Sequence, residues 1–347
     1  MRRVAWLAML MLLGLAARGL AEQPGSVDNL YDKASISQED RDQIRRWIDS
    51  IVKTMVSNTD PDRRGMVAAR NNLVVTGRPG PNRSPAFLQA FGEEAVAVLT
   101  ANEKKAISQE ARVNLMMALA EMRSTDAVAL LRTALEKDPY EASRYWAAKG
   151  LLLVVPEIIR KVDPRKEAEI ADSIEKVLET ETSNLTLLQL FDTLGQFDHE
   201  RAHDVLATAV MRVATRTSAS DPIVAQIMDL AIKALEKAYA REVRPQAKTQ
   251  ELMAYATLCV WLIPPLADSR LMANLNASLE KITGEKVGFV AADDDVMQKL
   301  ALLEWVEKLV KAKRIPKRPA MPPAVDEAVK ELKESATSAG GEAEAAE

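Results

Sequence analysis

Residues Gln109–Leu135, QEARVNLMMALAEMRSTDAVALLRTAL, decide the fold, because the chain repeats their pattern 75 positions later. A gapless shift by that offset puts Leu115 on Leu190, Leu119 on Leu194, Ala120 on Gly195 and Met122 on Phe197. The register continues with Ala127 on Ala202, Leu130 on Val205, Leu131 on Leu206, Thr133 on Thr208, Ala134 on Ala209 and Leu135 on Val210. Self-similarity at a fixed offset is the mark of a stacked repeat.

Composition points the same way. Hydrophobic residues make up 48% and charged residues 28% of the 347, which is ordinary for a packed domain. Aromatics are only 4%, and no run alternates Val, Ile and Thr as a half-buried strand does. Ala, Leu, Glu and Lys dominate, and these lose little side-chain freedom in a helix. The expected class is all-α.

Working outward from the quoted stretch, helices are expected at 85–101, 108–122, 125–137, 140–155, 164–180, 184–196, 199–216, 221–241, 246–263, 267–283 and 293–311. Asp138-Pro139, Asp163-Pro164 and Asp221-Pro222 read as a capping acid followed by a first-turn proline. Connections of a few residues turn each helix back beside its predecessor. Helices this short are marginal alone, so their apolar stripes must be shared with neighbours. The 75-residue offset spans four helices, or two pairs, and predicts an α-solenoid of antiparallel helix pairs.

Upstream, Ile44, Trp47, Ile48, Ile51, Val52 and Met55 form a helical stripe, with Ser35 or Ser37 as cap and Asp40 in capping-box spacing. Asp60-Pro61 opens a second helix. Residues 22–34 read as a linker. The stretch from Thr76 to Pro85 holds Pro79, Pro81, Pro85, Gly77 and Gly80, and reads as a solvated connector; the alternative is that Arg78 and Arg83 meet an anionic ligand. The domain plan is therefore N-terminal helices and a Pro/Gly-rich loop over 35–83, then a helical repeat over 84–311. A basic, then acidic, flexible tail over 312–347 follows, with a helix at 324–336.

The pattern Ala118-Leu119 followed by Ala127-Val128-x-Leu130-Leu131-x-x-Ala134-Leu135 resembles HEAT repeats, and Tyr145-Trp146-Ala147-Ala148-Lys149-Gly150-Leu151 is similar to their alanine-rich first helix. Leu279 to Phe289, with Trp305 beyond, is similar to the closing segment of exported bacterial HEAT proteins. There Ile282 stands for a leucine, and Lys308 and Leu309 replace a second tryptophan. The resemblance implies a curved stack of hairpins that holds protein or peptide partners.

Arg2-Arg3, the apolar run Val4–Leu15 and the small residues near Ala21 describe a signal peptide over 1–21. Twelve apolar residues are too few to span a bilayer comfortably. The expectation is therefore an exported protein, periplasmic or secreted, with no membrane span after cleavage. Losing Arg2, Arg3 and Arg18 moves the net charge from −4 to about −7, which disfavours nucleic acid as partner. Cys259 is the sole cysteine, so no internal disulfide forms; within Leu258-Cys259-Val260 it reads as a buried small hydrophobe.

One motif carries chemistry. His199-Glu200-Arg201-Ala202-His203 is H-E-x-x-H, the zincin pattern. Two imidazoles four apart on a helix can share one zinc while the glutamate activates bound water. On that alternative His199 and His203 are metal ligands, Glu200 is the general base, zinc is the cofactor, and Asp221, Asp229 and Glu236 are candidate third ligands. Against it, the motif falls in a first turn, Arg201 adds positive charge, and the repeat aligns His203 with Val128. Asn184-Leu185-Thr186 and Asn276-Ala277-Ser278 fit glycosylation acceptors, and Asp293-Asp294-Asp295 fits an acidic helix start. The favoured reading is a non-enzymatic scaffold with no catalytic residue, metal or cofactor; the alternative is a zinc-dependent metallohydrolase.

Overall fold

The computed structural model describes residues 26–57, 63–106, 108–218, 220–264, 269–284, 295–321 and 323–344. The expected signal peptide, the Asp60-Pro61 start, most of the segment Leu279–Phe289 beyond Gly284, and Asp293 and Asp294 lie outside them. Among the described residues the fold is all-α, with no strand. No helix is long and apolar enough to cross a membrane.

The chain divides into two compact units, one ending at Ala127 and the other starting at Val128. The sequence reading ran one repeat domain from 84 to 311. The division instead falls inside the quoted stretch, at the 3-10 turn Thr125–Ala127, just after Arg123 takes a left-handed φ of 54°.

The first unit holds a 3-10 turn (Asp28–Leu30) and helices α1 (Gln38–Ser57), α2 (Arg64–Gly77), α3 (Pro85–Glu103) and α4 (Gln109–Glu121). The capping box forms as expected: Asp40 N donates to Ser37 Oγ at 3.2 Å, and Ser37 N donates to Asp40 Oδ2 at 3.0 Å. Helix α1 packs on α2, α3 and α4, and buries Ile44, Ile48 and Val52. The described part of the expected linker, residues 26–34, contributes to this core. Val27 and Leu30 are buried, and the Tyr31 ring meets Phe87 edge-on with centroids 4.9 Å apart. Apolar residues at 27, 30 and 31 make a short turn worth ordering. In the Pro/Gly loop, Arg78 pairs with Glu121 at 2.5 Å and Arg83 donates to the Arg78 carbonyl at 2.7 Å. Both arginines make contacts within the unit, and Arg78 stays exposed.

The second unit contains α5 (Val128–Lys137), α6 (Glu141–Lys161), α7 (Pro164–Val177), α8 (Asn184–Gln196), α9 (Glu200–Ala214), α10 (Pro222–Arg241), α11 (Pro245–Trp261), α12 (Ser269–Thr283), α13 (Asp295–Lys311) and α14 (Pro323–Glu344). Packing is between next-but-one helices as well as sequential ones. One row runs α5, α7, α9, α11, α13 and a second runs α6, α8, α10, α12. This two-layer stack is the solenoid-like arrangement that the 75-residue offset predicts. Repeat-equivalent residues share their environment: Leu119 and Leu194, Leu131 and Leu206, and Ala134 and Ala209 are all buried. Thr133 and Thr208 both donate their hydroxyl to the carbonyl four residues back, at 2.9 and 3.0 Å.

Local signals set most helix starts. Asp163 Oδ1 accepts from Lys166 N at 3.2 Å, and Asp221 Oδ1 accepts from Ile223 N at 2.8 Å. Asp138 differs: its carboxylate accepts from Tyr140 N, and Tyr140 is the cap residue of α6. Helix α6 also runs on through Pro156, where a stop was expected. Pro156 is exposed, so water can take the carbonyl left without a donor. Helix α14 extends beyond 324–336, and Val325, Val329 and Leu332 are buried where it meets α13 and α11. That part of the expected flexible tail is packed.

Charged rungs join successive helices within each row. Arg132 pairs with Glu169 at 2.7 Å between α5 and α7, and Arg201 pairs with Asp172 at 2.7 Å and with Glu175 between α7 and α9. Lys281 pairs with Glu236 at 2.8 Å between α10 and α12.

Candidate functional site

The two histidines start from one motif and end in different roles. His199 precedes α9 in extended backbone (φ −75°, ψ 134°), and its Nδ1 accepts from Arg201 N at 3.0 Å. It is the helix cap, and its Nδ1 is engaged with the backbone of the first turn. Glu200 is exposed, with its Oε2 3.4 Å from Arg244 Nε. Arg201 is turned toward α7 and its two acids. The expected third ligands are used elsewhere. Asp221 caps α10 and accepts from Asn184 Nδ2 at 2.9 Å, Asp229 accepts from Lys233 and Asn274, and Glu236 meets Lys281. The first glycosylation candidate, Asn184, thus holds a rung between α8 and α10.

His203 lies one turn further on and is buried, 5% exposed. The backbone of Phe197 lies near the ring and favours its charged form, while Nε2 has no partner. Burial pushes the imidazole below its usual pKa, against the opposing pull of Glu242, the Phe197 backbone and Asp198. The neutral ring is the favoured form.

Two glutamates complete the cluster. Among the described residues, His203, Glu242 and Glu251 are the one trio of metal-capable side chains whose donor atoms all lie within 4.8 Å of one another. Glu242 occupies the turn between α10 and α11. Its Oε1 accepts from Val243 N (2.9 Å), Arg244 N (2.7 Å) and Arg244 Nε (3.0 Å), and its Oε2 accepts from Arg244 Nη2 (2.7 Å). The Arg244 guanidinium, against the cost of burial, holds this carboxyl down at about 2. Arg244 also reaches Asp204 at 3.0 Å, which fixes the clamp to α9.

Glu251 is the unusual member. It is 1% exposed, and neither carboxylate oxygen has a hydrogen-bond partner. Burial first, then the charges of Glu242 and Asp204, push its pKa up to about 7. A buried carboxylate without partners is costly, and an unexplained one in a core calls for a partner or a proton. The sequence carried a trace of it. Helix α11 buries Ala254, Tyr255, Leu258, Cys259 and Leu262, and Glu251 falls on that same i, i+3, i+4 stripe as its only acid. Glu242 left no such trace, because a glutamate in a polar turn looks ordinary. Cys259 is fully buried as expected, and burial pushes its thiol up, away from thiolate chemistry.

A different surface bears on binding. Tyr145 and Trp146 on α6 are only partly buried and meet edge-on with centroids 5.6 Å apart. The Lys149 ammonium sits 4.4 Å from the Trp146 centroid and, among the described residues, has no ion pair. Leu152 and Leu153 are partly exposed on the same helix, and Leu185 on the adjacent α8 is 52% exposed.

Comparison with protein-family models, with curated proteins and with solved structures finds no match to this chain.

Proposed function

We propose that this protein is a non-enzymatic helical-repeat scaffold of the HEAT type. It binds protein or peptide partners in the cell envelope or outside the cell, with residues 1–21 as its export signal. The observation that carries the reading is the outward face of α6, where Tyr145, Trp146, Leu152 and Leu153 stay partly exposed on a helix whose other face is fully packed. Aromatic residues in such positions dominate binding energy at protein surfaces. Lys149, stacked on Trp146 without a carboxylate, adds a preference. The partner is a polypeptide segment presenting an apolar side chain next to an acidic one.

The surroundings of the zincin residues favour the scaffold over the metallohydrolase. Glu200 is exposed beside Arg244, and His199 caps a helix.

Selection of a displayed peptide library on the full chain tests the proposal. Enriched sequences should pair an aromatic or aliphatic residue with Asp or Glu, and should bind Trp146→Ala at least about tenfold more weakly, the loss expected at an aromatic anchor. If no sequence is enriched, or if Trp146→Ala binds as well as the parent, the α6 face is not the binding surface. Mass spectrometry of the native N-terminus tests export: a mature chain that retains residues 1–21 ends that part of the proposal.

A further inference from the structure

We propose that His203, Glu242 and Glu251 form a structural Zn²⁺ site that ties α9 to α11 and to the turn before α11. Three observations bring the argument to a metal. The donor atoms converge within 4.8 Å from residues 39 and 48 positions apart in sequence. Three donors around tetrahedral zinc sit roughly 3.3 Å from one another, given bonds near 2.1 Å, so a small inward adjustment of side chains suffices. The free atoms are also the right ones. His203 Nε2 and both Glu251 oxygens are buried and unpartnered, on two residues that each bring a donor atom within 4.8 Å of Glu242.

The supporting shell matches what metal ligands require. His203 Nε2 is buried and unpartnered beside the Phe197 backbone. Glu242 is fixed by Arg244 through Nε and Nη2, at 3.0 and 2.7 Å. Three of its four hydrogen bonds fall on Oε1, so Oε2 retains a lone pair. Charge completes the case. Around Glu251 the charges of Glu242 and Asp204 outweigh those of Arg244 and Lys248, and a dication would supply positive charge. One imidazole with two carboxylates favours zinc over the all-oxygen cages of Ca²⁺ and Mg²⁺. All three ligands are at most 6% exposed, which closes the ion to a substrate. The role is therefore to pin the stack.

The test is titration of Zn²⁺ into chelator-stripped full-length protein, read by calorimetry, elemental analysis and thermal melting. The expected result is one Zn²⁺ per chain and a higher melting midpoint. Glu251→Gln and His203→Gln should weaken binding by more than tenfold while keeping the far-ultraviolet helix signal. His199→Ala and Glu200→Gln should bind zinc as the parent does. Arg244→Gln, which alters only a positioning residue, should weaken it about tenfold. X-ray absorption on the zinc-loaded parent, which needs no variant to fold, should show a single imidazole among oxygen donors. Absence of saturable binding, survival of binding in Glu251→Gln, loss in His199→Ala, or two imidazoles in the absorption spectrum would each overturn the site.

Discussion

Glu181 and Glu242 are the same local device set in two surroundings. Each is a buried glutamate in a turn, and each accepts the two following backbone N–H groups and a guanidinium. For Glu181 these are Thr182 N (3.0 Å), Ser183 N (2.8 Å) and Arg144 Nε (2.7 Å). There the arrangement closes on itself and every charge is answered. Around Glu242 the same local motif borders His203 and Glu251, whose inward atoms are unanswered. A buried carboxylate alone is therefore weak evidence of function, since satisfied ones are ordinary architecture. The unsatisfied neighbour separates a site from a rung.

The largest expected effect tests the closed side of this comparison. Arg144→Met removes the cation from a carboxylate whose side chain is 0% exposed. Breaking a buried pair costs about 3 kcal/mol or more, measurable as a lower denaturation midpoint in urea. A loss below about 1 kcal/mol, the level of a surface pair, would show that Glu181 is less dependent on Arg144 than its burial implies.

Next come opposite pH responses. Burial opposes ionisation of Glu181, but Arg144 and the Ser183 and Thr182 N–H groups outweigh it and hold the carboxyl below its ordinary 4.5. Its contribution is present above that value and is lost as pH falls through the folded pKa. Glu251 runs the other way in metal-free protein. Its folded pKa of about 7 lies above 4.5, so the folded state holds a proton that the unfolded state releases. Stability therefore falls as pH rises from about 4.5 to about 7 and levels off above. Glu251→Gln should remove that slope in chelator, as read by melting at a series of pH values. An unchanged slope would place the titration on another group.

The smallest effect concerns His199. Asp is a better helix cap than His and suits the positive end of the α9 dipole, so His199→Asp should stabilise by about 0.5 kcal/mol. It should do so with or without zinc. A zinc-dependent change would return His199 to the metal question.

The legibility of this protein followed the range of the forces involved. Ser37, Asp163 and Asp221 act on N–H groups two or three residues away, so their capping could be read directly from spacing. Asp138 misled for the same reason, since its local bond goes to Tyr140 and starts the turn rather than the helix. In the H-E-x-x-H string the two histidines take different local roles: His199 caps the helix through Nδ1, and His203 is buried one turn on.

What the sequence determined by itself was the set of helices and which side of each is buried, because a stripe at helical period needs a packed partner whatever that partner is. It also fixed the repeat, in which Leu119 and Leu194 occupy equivalent buried positions. Only the tertiary structure decided which polar groups meet inside. His203, Glu242 and Glu251 converge because α9 and α11 lie side by side in one row, with the turn from α10 between them. Periodicity specifies that a face is covered; the pairing of rows specifies by whom, and a ligand set depends on the second.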